Sequence, residues 1–427
     1  MTVTTQQGAT PAPAGPSFGD RLRGQLAGTP GRLRQLAALS IGVSLVFGLL
    51  GAALLSWRAG ALDAARGSTE QLVRLQTVRT RLVQADAEAA NAFLVGGLEP
   101  AARRAAYVRS VDVASATIAT AAAESDADAP TLAEVNQSLT HYTGLVEAAR
   151  ANNRQGLAVG ATYLQQASAL LRSDILPKLT RLADDNQRQV QSRYDAAAVH
   201  GRVFTLLTLL VLGALAGAQY WLAQRTRRIL NVGLTAGTGV LLLAVVVAAV
   251  TMLASQSRAN RAHTEAYAAT VELAQARIDA FDAKSAESLT LVARGSGQAY
   301  EAEFTRAIED ARRQLDAADL ITAHTVPVRQ ALEDFVRAHA KIRKADDGGD
   351  FPEAVRLATR EGSAAAPFNR FDQTSDVELG TQSEHAVGDL RRAARPLRPV
   401  AGLVLLGGVL AAFAAARGVA ARLREYR

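Results

Sequence analysis

The 427-residue chain has no cysteine, which excludes disulfides, thiolate metal sites and cysteine nucleophiles. Lysine is nearly missing too: 4 of the 47 basic residues, a coding bias that says little about function. Aromatic residues make up only 5%. Runs of alternating Val, Ile and Thr bounded by turns do not occur, so a sheet protein is not expected. The six histidines, His141, His200, His263, His324, His339 and His385, form no i, i+4 pair and no HExxH pattern. Phosphate loops, GxSxG elbows and dinucleotide fingerprints are missing as well. With these motifs go the common routes to hydrolysis, redox chemistry and nucleotide binding; no enzyme, cofactor or metal is expected.

Charge is also missing from four long stretches, and there the chain begins to say what it is. Residues 36–57, 203–223, 229–255 and 399–417 are apolar and of the ~20-residue length that crosses a bilayer as a helix. The first is too long, and too far from the start, for a cleaved secretory signal, so it reads as a retained anchor. The remainder divides into a low-complexity tail within 1–35, two long polar segments, 58–202 (segment I) and 256–398 (segment II), a turn at 224–228 and a short tail at 418–427.

Sidedness follows from arginine. The spans, their short flanks and the two tails hold 11 basic and 2 acidic residues, whereas segments I and II are nearly balanced. Cytoplasmic flanks carry the Lys/Arg excess, so Arg225, Arg227 and Arg228 place the turn inside, both termini join it, and segments I and II lie outside. Trp57, Tyr220 and Trp221 at span ends suit the interface. No basic patch is interleaved with aromatics, so no nucleic-acid partner is expected. No span carries a charge near its centre, which disfavours a transporter.

Both long segments show the three- and four-residue spacing of a helical bundle. Segment I has seams at Leu75, Val78, Leu82, Ala85, Ala89, Ala92 and at Leu132, Val135, Leu139, Tyr142, Val146, Ala149, the first ended by the glycines at 96–97. Segment II has Val271, Ala274, Ile278, Phe281 before "GSG" (295–297), and Val328, Leu332, Phe335, His339, Ile342 before "DDGGD" (346–350). The expected fold is an all-α membrane protein. It has four transmembrane helices and two extracytoplasmic antiparallel helical bundles in a duplicated arrangement, the first and last helix of each bundle continuous with a span.

This layout, with "YTGLVEAARANNRQG" and "FVRAHAKIRKADDGG" in corresponding places, resembles the four-helix-bundle sensor domains of bacterial chemoreceptors. Four spans, two outer bundles and almost no cytosolic sequence are similar to the actinobacterial GlnX-type membrane proteins. That resemblance implies an extracytoplasmic amino-acid-binding lipoprotein and a cytosolic Ser/Thr kinase as partners, with the lipid bilayer around the spans. It carries over no catalytic or ligand residue. Homo-oligomerisation is compatible with it.

Individual site signals are sparse. Arg103, Arg104 and Arg109 have the fork that suits a carboxylate, but in an arginine-rich chain a solvated face is the plainer reading. Asp346, Asp347 and Asp350 lack the spacing of a calcium loop and read as a solvated turn. His339 falls on a seam and reads as a packed bundle histidine. Gly213 with Gly217 and Gly233 with Gly237 form GxxxG pairs suited to close packing of transmembrane helices. The expected function is a transmembrane sensor or adaptor that relays an outer cue, such as amino-acid availability, to a cytosolic kinase. The alternative is a scaffolding protein of the cell envelope that does not switch.

Overall fold

The computed structural model describes residues 29–95, 99–226, 232–359 and 365–425. Every regular element among them is helical. In chain order they are α1 (Thr29–Val95), α2 (Ala101–Glu124), α3 (Ala129–Arg154), α4 (Val159–Leu170), α5 (Leu176–Thr226), α6 (Val232–Arg261), α7 (Ala268–Val292), α8 (Gln298–Asp319), α9 (Val326–Asp347), α10 (Phe351–Thr359), α11 (Ala365–Ala394) and α12 (Leu397–Glu425). A π-helical turn, Leu171–Ile175, joins α4 to α5, another, Ala262–Tyr267, joins α6 to α7, and a 3₁₀ turn, Ala323–Thr325, precedes α9.

Proline placement explains much of this punctuation. No proline lies between Pro30 and Pro100, and α1 runs for 67 residues. Pro130 and Pro327 stand in the first turns of α3 and α9, where a missing N–H costs nothing. Pro177 follows the first π turn and has no N–H for the carbonyl four residues back, so the ladder widens there. Pro396 lies in a turn that parts α11 from α12. The last helix of segment II is therefore not continuous with its span, because that proline interrupts the hydrogen-bond ladder. The second π turn contains no proline.

Four helices are long and apolar enough to cross a membrane. The chain folds as two compact units: Met1–Arg58, Val199–Leu253 and Pro396–Arg427 form one, Ala59–Ala198 and Ala254–Arg395 the other. In the first, α1 meets α12 at two glycines. A Cβ on Gly408 would lie 2.7 Å from the Gly48 Cα and from the Ser44 carbonyl oxygen. On α6, a Cβ at Gly237 would come within 2.9 Å of the Ala411 carbonyl oxygen of α12. Phe47 of α1 faces Phe204 of α5 at 6.4 Å between ring centroids. Gly213 and Gly217 are different: a Cβ at either meets nothing within 4 Å, and both are exposed. Gly233 lies in α6.

The second unit is built from both long segments, and their cores interlock. The cluster of Leu75, Leu82, Leu132, Tyr142 and Leu164 from segment I takes in Leu289 of α7. The cluster of Phe281, Phe304, Leu332 and Phe335 from segment II takes in Val83 and Ala87 of α1. α1 and α7 are accordingly buried on more than one face. α7 shields even Arg277, Lys284 and Glu287 from solvent. Small residues at Ala85, Ala89, Ala280, Ala283 and Ala286 let backbones approach where long side chains could not.

Candidate functional site

At one end of segment I, α1 stops, α2 begins and α3 stops, and between them lies a cavity of ≈ 300 Å³. Its wall carries Glu99, Arg104, Glu147, Arg150 and Arg154 together with the ring of Phe93. Helix periodicity puts them there: Glu147, Arg150 and Arg154 are three and four residues apart on α3, on the flank of its buried seam. Arg104 pairs with Glu147 at 2.7 Å, and Arg150 bridges Glu147 and Glu99, both at 3.0 Å. Beneath them, Tyr107 is buried. The Arg150 guanidinium lies 4.3 Å from its ring centroid and that of Arg104 5.9 Å. Burial raises the Tyr107 phenol well above its ordinary value, so it stays protonated. Burial likewise raises the Glu99 carboxyl, against the pull of Arg104. Three arginines and two glutamates facing one small space can meet both ends of a zwitterion, a carboxylate through guanidinium forks and an ammonium through carboxylates.

Of the three arginines singled out in the sequence, only Arg104 lines this cavity. Arg103 points to α10 and donates to the Thr359 carbonyl oxygen, and Arg109 is exposed. Arg150 and Arg154 were missed because on sequence grounds they are one more pair among many arginines.

A second polar set lies deeper, where α1, α4–α5 and α7 meet. Asp86, 1% exposed, accepts from Ser168 at 2.7 Å, from Ser285 of segment II at 2.7 Å and from Tyr142 at 3.4 Å. Arg172, in the first π turn, stands within ion-pair distance of Asp86 (3.4 Å), Asp282 (3.5 Å) and Glu303 (3.1 Å). Burial alone would lower the Arg172 guanidinium, but the three carboxylates outweigh it and raise it. Burial pushes Asp282 up to about 6 despite Arg172, and Asp279 up to about 7 despite a hydrogen bond from Gln275. The sequence analysis did not single these residues out, although a signal was present: Arg79 and Asp86 are seven residues apart beside the seam of α1, as are Arg277 and Lys284 on α7.

His339 is a packed seam histidine. Its ring stacks on Phe304 at 3.5 Å, Nδ1 lies 2.9 Å from Glu287 and Nε2 3.2 Å from Glu301. Burial disfavours the imidazolium, yet the two carboxylates prevail and raise the pKa. Asp346 and Asp347 pair with Arg343, and Asp350 accepts from the Glu353 N–H at the start of α10. Among the described residues no group of three His, Asp or Glu could hold a metal ion. Arg227 and Arg228 lie outside the described residues, as do the glycines at 96–97; Arg225 is in the last turn of α5.

Residues 61–195, which contain the whole cavity lining and Asp86 and Arg172, match the family model of the actinobacterial sensor domain. No curated protein and no solved structure matches the chain. Segment I is thus similar to the sensor domain of actinobacterial proteins, and that match supports a sensing role for the chain.

Proposed function

We propose that the protein is a transmembrane sensor or adaptor of the cell membrane, with segments I and II outside and both termini and the 224–228 turn inside. The observation that carries this reading is that the sensor-domain match encloses a charged cavity at the junction of α1, α2 and α3. The same α1 runs unbroken from there into an apolar span. A ligand with a carboxylate and an ammonium group, an amino acid delivered free or by a binding lipoprotein, exchanges with the Arg104–Glu147 and Arg150–Glu99 pairs. The rearranged ends of α1 and α3 shift α1 along its axis. A cytosolic Ser/Thr kinase reads that displacement at the arginine-bearing turn and tails. The chain does no chemistry of its own in this scheme.

The test uses the full chain in lipid nanodiscs and follows its melting on titration with glutamate, glutamine and aspartate. At least one raises the melting temperature, because binding stabilises the native state by RT ln(1 + [L]/Kd), about 2.7 kcal/mol at a hundredfold excess over Kd. Arg150→Ala abolishes the response. If no amino acid moves the melting of the wild-type chain, with or without a binding lipoprotein, the non-switching scaffold is the better reading.

A further inference from the structure

His339 of α9 sits where three helices of segment II meet, and each of its ring nitrogens faces a carboxylate from a different helix. Nδ1 lies 2.9 Å from Glu287 of α7, and Nε2 lies 3.2 Å from Glu301 in the first turn of α8. An ionised carboxylate only accepts hydrogen bonds, and a neutral imidazole has a single N–H. Both contacts are therefore hydrogen bonds only when the ring is an imidazolium; either neutral tautomer sets a ring lone pair against a carboxylate oxygen. Both acids are held ionised. Burial would raise the Glu287 carboxyl, but Lys284 and His339 outweigh it and lower it, while the hydrogen bond from His339 lowers Glu301 against its own partial burial. The ring of Phe304, 3.5 Å away and 17° from parallel, turns its face to the same cation.

Each carboxylate has a second cation within reach, so loss of the His339 proton strands no buried charge. Glu287, 1% exposed, keeps Lys284 of its own helix. Glu301 has Arg343 of α9 at 3.3 Å, an ion pair too long and oblique to be a hydrogen bond, since the Glu301 Oε2 it reaches has no hydrogen-bond partner among the described residues. Arg343 also holds Asp346 and Asp347. From the other helices packed here, Glu88 of α1 acts on Lys284, α11 brings the ring of Phe368 to 5.9 Å from the Lys284 ammonium, and on α10 Glu353 pairs with Arg356. The contact to Glu301 is the one that yields. It is the longer of the two, and Glu301 is 34% exposed, open to water and to proton exchange, whereas Glu287 is sealed.

We propose that His339 is a proton-operated latch on the start of α8: as an imidazolium it ties that turn to α7 and α9, and as a neutral ring it lets Glu301 go over to Arg343 and frees the turn. Burial opposes the charge, but Glu287 and Glu301 outweigh it and raise the imidazole above its ordinary 6.5. The latch is therefore fully closed below about pH 6.5 and opens as pH rises through the raised folded value. Its input is the acidity of the medium around segment II, which is separate from the cavity at Arg104 and does not depend on the amino-acid reading.

The test uses the full chain in nanodiscs. In nitrogen NMR of histidine-labelled protein, the signal lost in His339→Gln shows both ring nitrogens protonated near neutral pH and titrates above 6.5. Hydrogen exchange of the wild-type chain, corrected for the intrinsic effect of hydroxide, shows amides 301–305 losing about 10-fold in protection over the same range, beyond any change in α3. Glu301→Gln, whose amide donates to a neutral ring, lowers the His339 titration and removes the local step. A His339 titration at or below 6.5, no loss of protection at the start of α8, or a loss shared equally by α3 overturns the proposal. The exchange measurement needs only the wild-type chain, so a misfolded variant does not blur it.

Discussion

Asp86, Asp282 and Glu303 bring three carboxylates around Arg172, and the cation that acts on the nearby buried Asp279 is Arg79. Taking charges out of water is expensive unless each is paired, so removing the cation should cost more than removing one acid. Arg172→Met is expected to destabilise the chain by about 3–5 kcal/mol, and Asp282→Asn in the same molecule to restore part of that loss. Melting of the single and double variants checks it; a double variant no more stable than Arg172→Met refutes the coupling. The two raised carboxyls also set a pH dependence. Their folded pKa values, about 7 and about 6, exceed the unfolded 3.8, so the native state holds more protons between these values. Their stabilising effect is full below about pH 4 and is lost as pH rises through 6 and 7. Asp279→Asn removes one of these terms. It should melt higher than wild type at pH 8, by roughly 2–6 °C, with the gap closing toward pH 4. A constant difference across that range would count against a titrating Asp279. Neither acid stood out in the sequence, because a charged residue beside a seam has solvent as its default surroundings.

Among the elements, the spans show most clearly how pattern and packing diverge. GxxxG motifs mark helices able to pack closely, and Gly237 does meet α12, but Gly213 and Gly217 of α5 face open space. The tightest approach pairs Gly48 with Gly408, glycines that belong to different ends of the chain. Gly408→Ala should force α1 and α12 apart and cost about 1–3 kcal/mol, whereas Gly213→Ala should be nearly silent. Melting in nanodiscs separates them, and a silent Gly408→Ala would show that the contact gives way easily. The polar elements were more legible. All six seam positions of α3 from Leu132 to Ala149 are buried, and so are Val328, Leu332, Phe335, His339 and Ile342 of α9. Their period is a property of one helix and needs no knowledge of its neighbour. Helix ends were legible for a similar reason: α9 stops at Asp347 and Gly349 takes φ 81°, a conformation that glycine adopts without a Cβ clash. The break at Pro396 could have been read from the proline, and the second π turn had no local signal.

At the scale of the whole molecule, the two long segments form one unit, since Leu289 completes the core of segment I and Val83 and Ala87 that of segment II. Segment I produced alone as residues 59–198 would expose that face of α1 together with Asp86, stripped of its bond from Ser285. It should therefore lack a cooperative melt while the full chain shows one. Calorimetry of the two proteins checks this, and a sharp transition in the fragment would mean that the shared core is dispensable. Helical class, apolar stretches long enough to cross a membrane and the inward stripe of each polar helix were determined by the sequence alone, because hydropathy and periodicity are written in residues a few positions apart. Which flank of α1 and α7 was also buried, which carboxylates gathered around Arg172 and which arginines closed on Tyr107 were decided only by the tertiary structure. Those outcomes depend on helices far apart in the chain, Ser285 being 199 residues from Asp86 and Asp372 288 from Gln84, and no local pattern specifies the partner that removes the water.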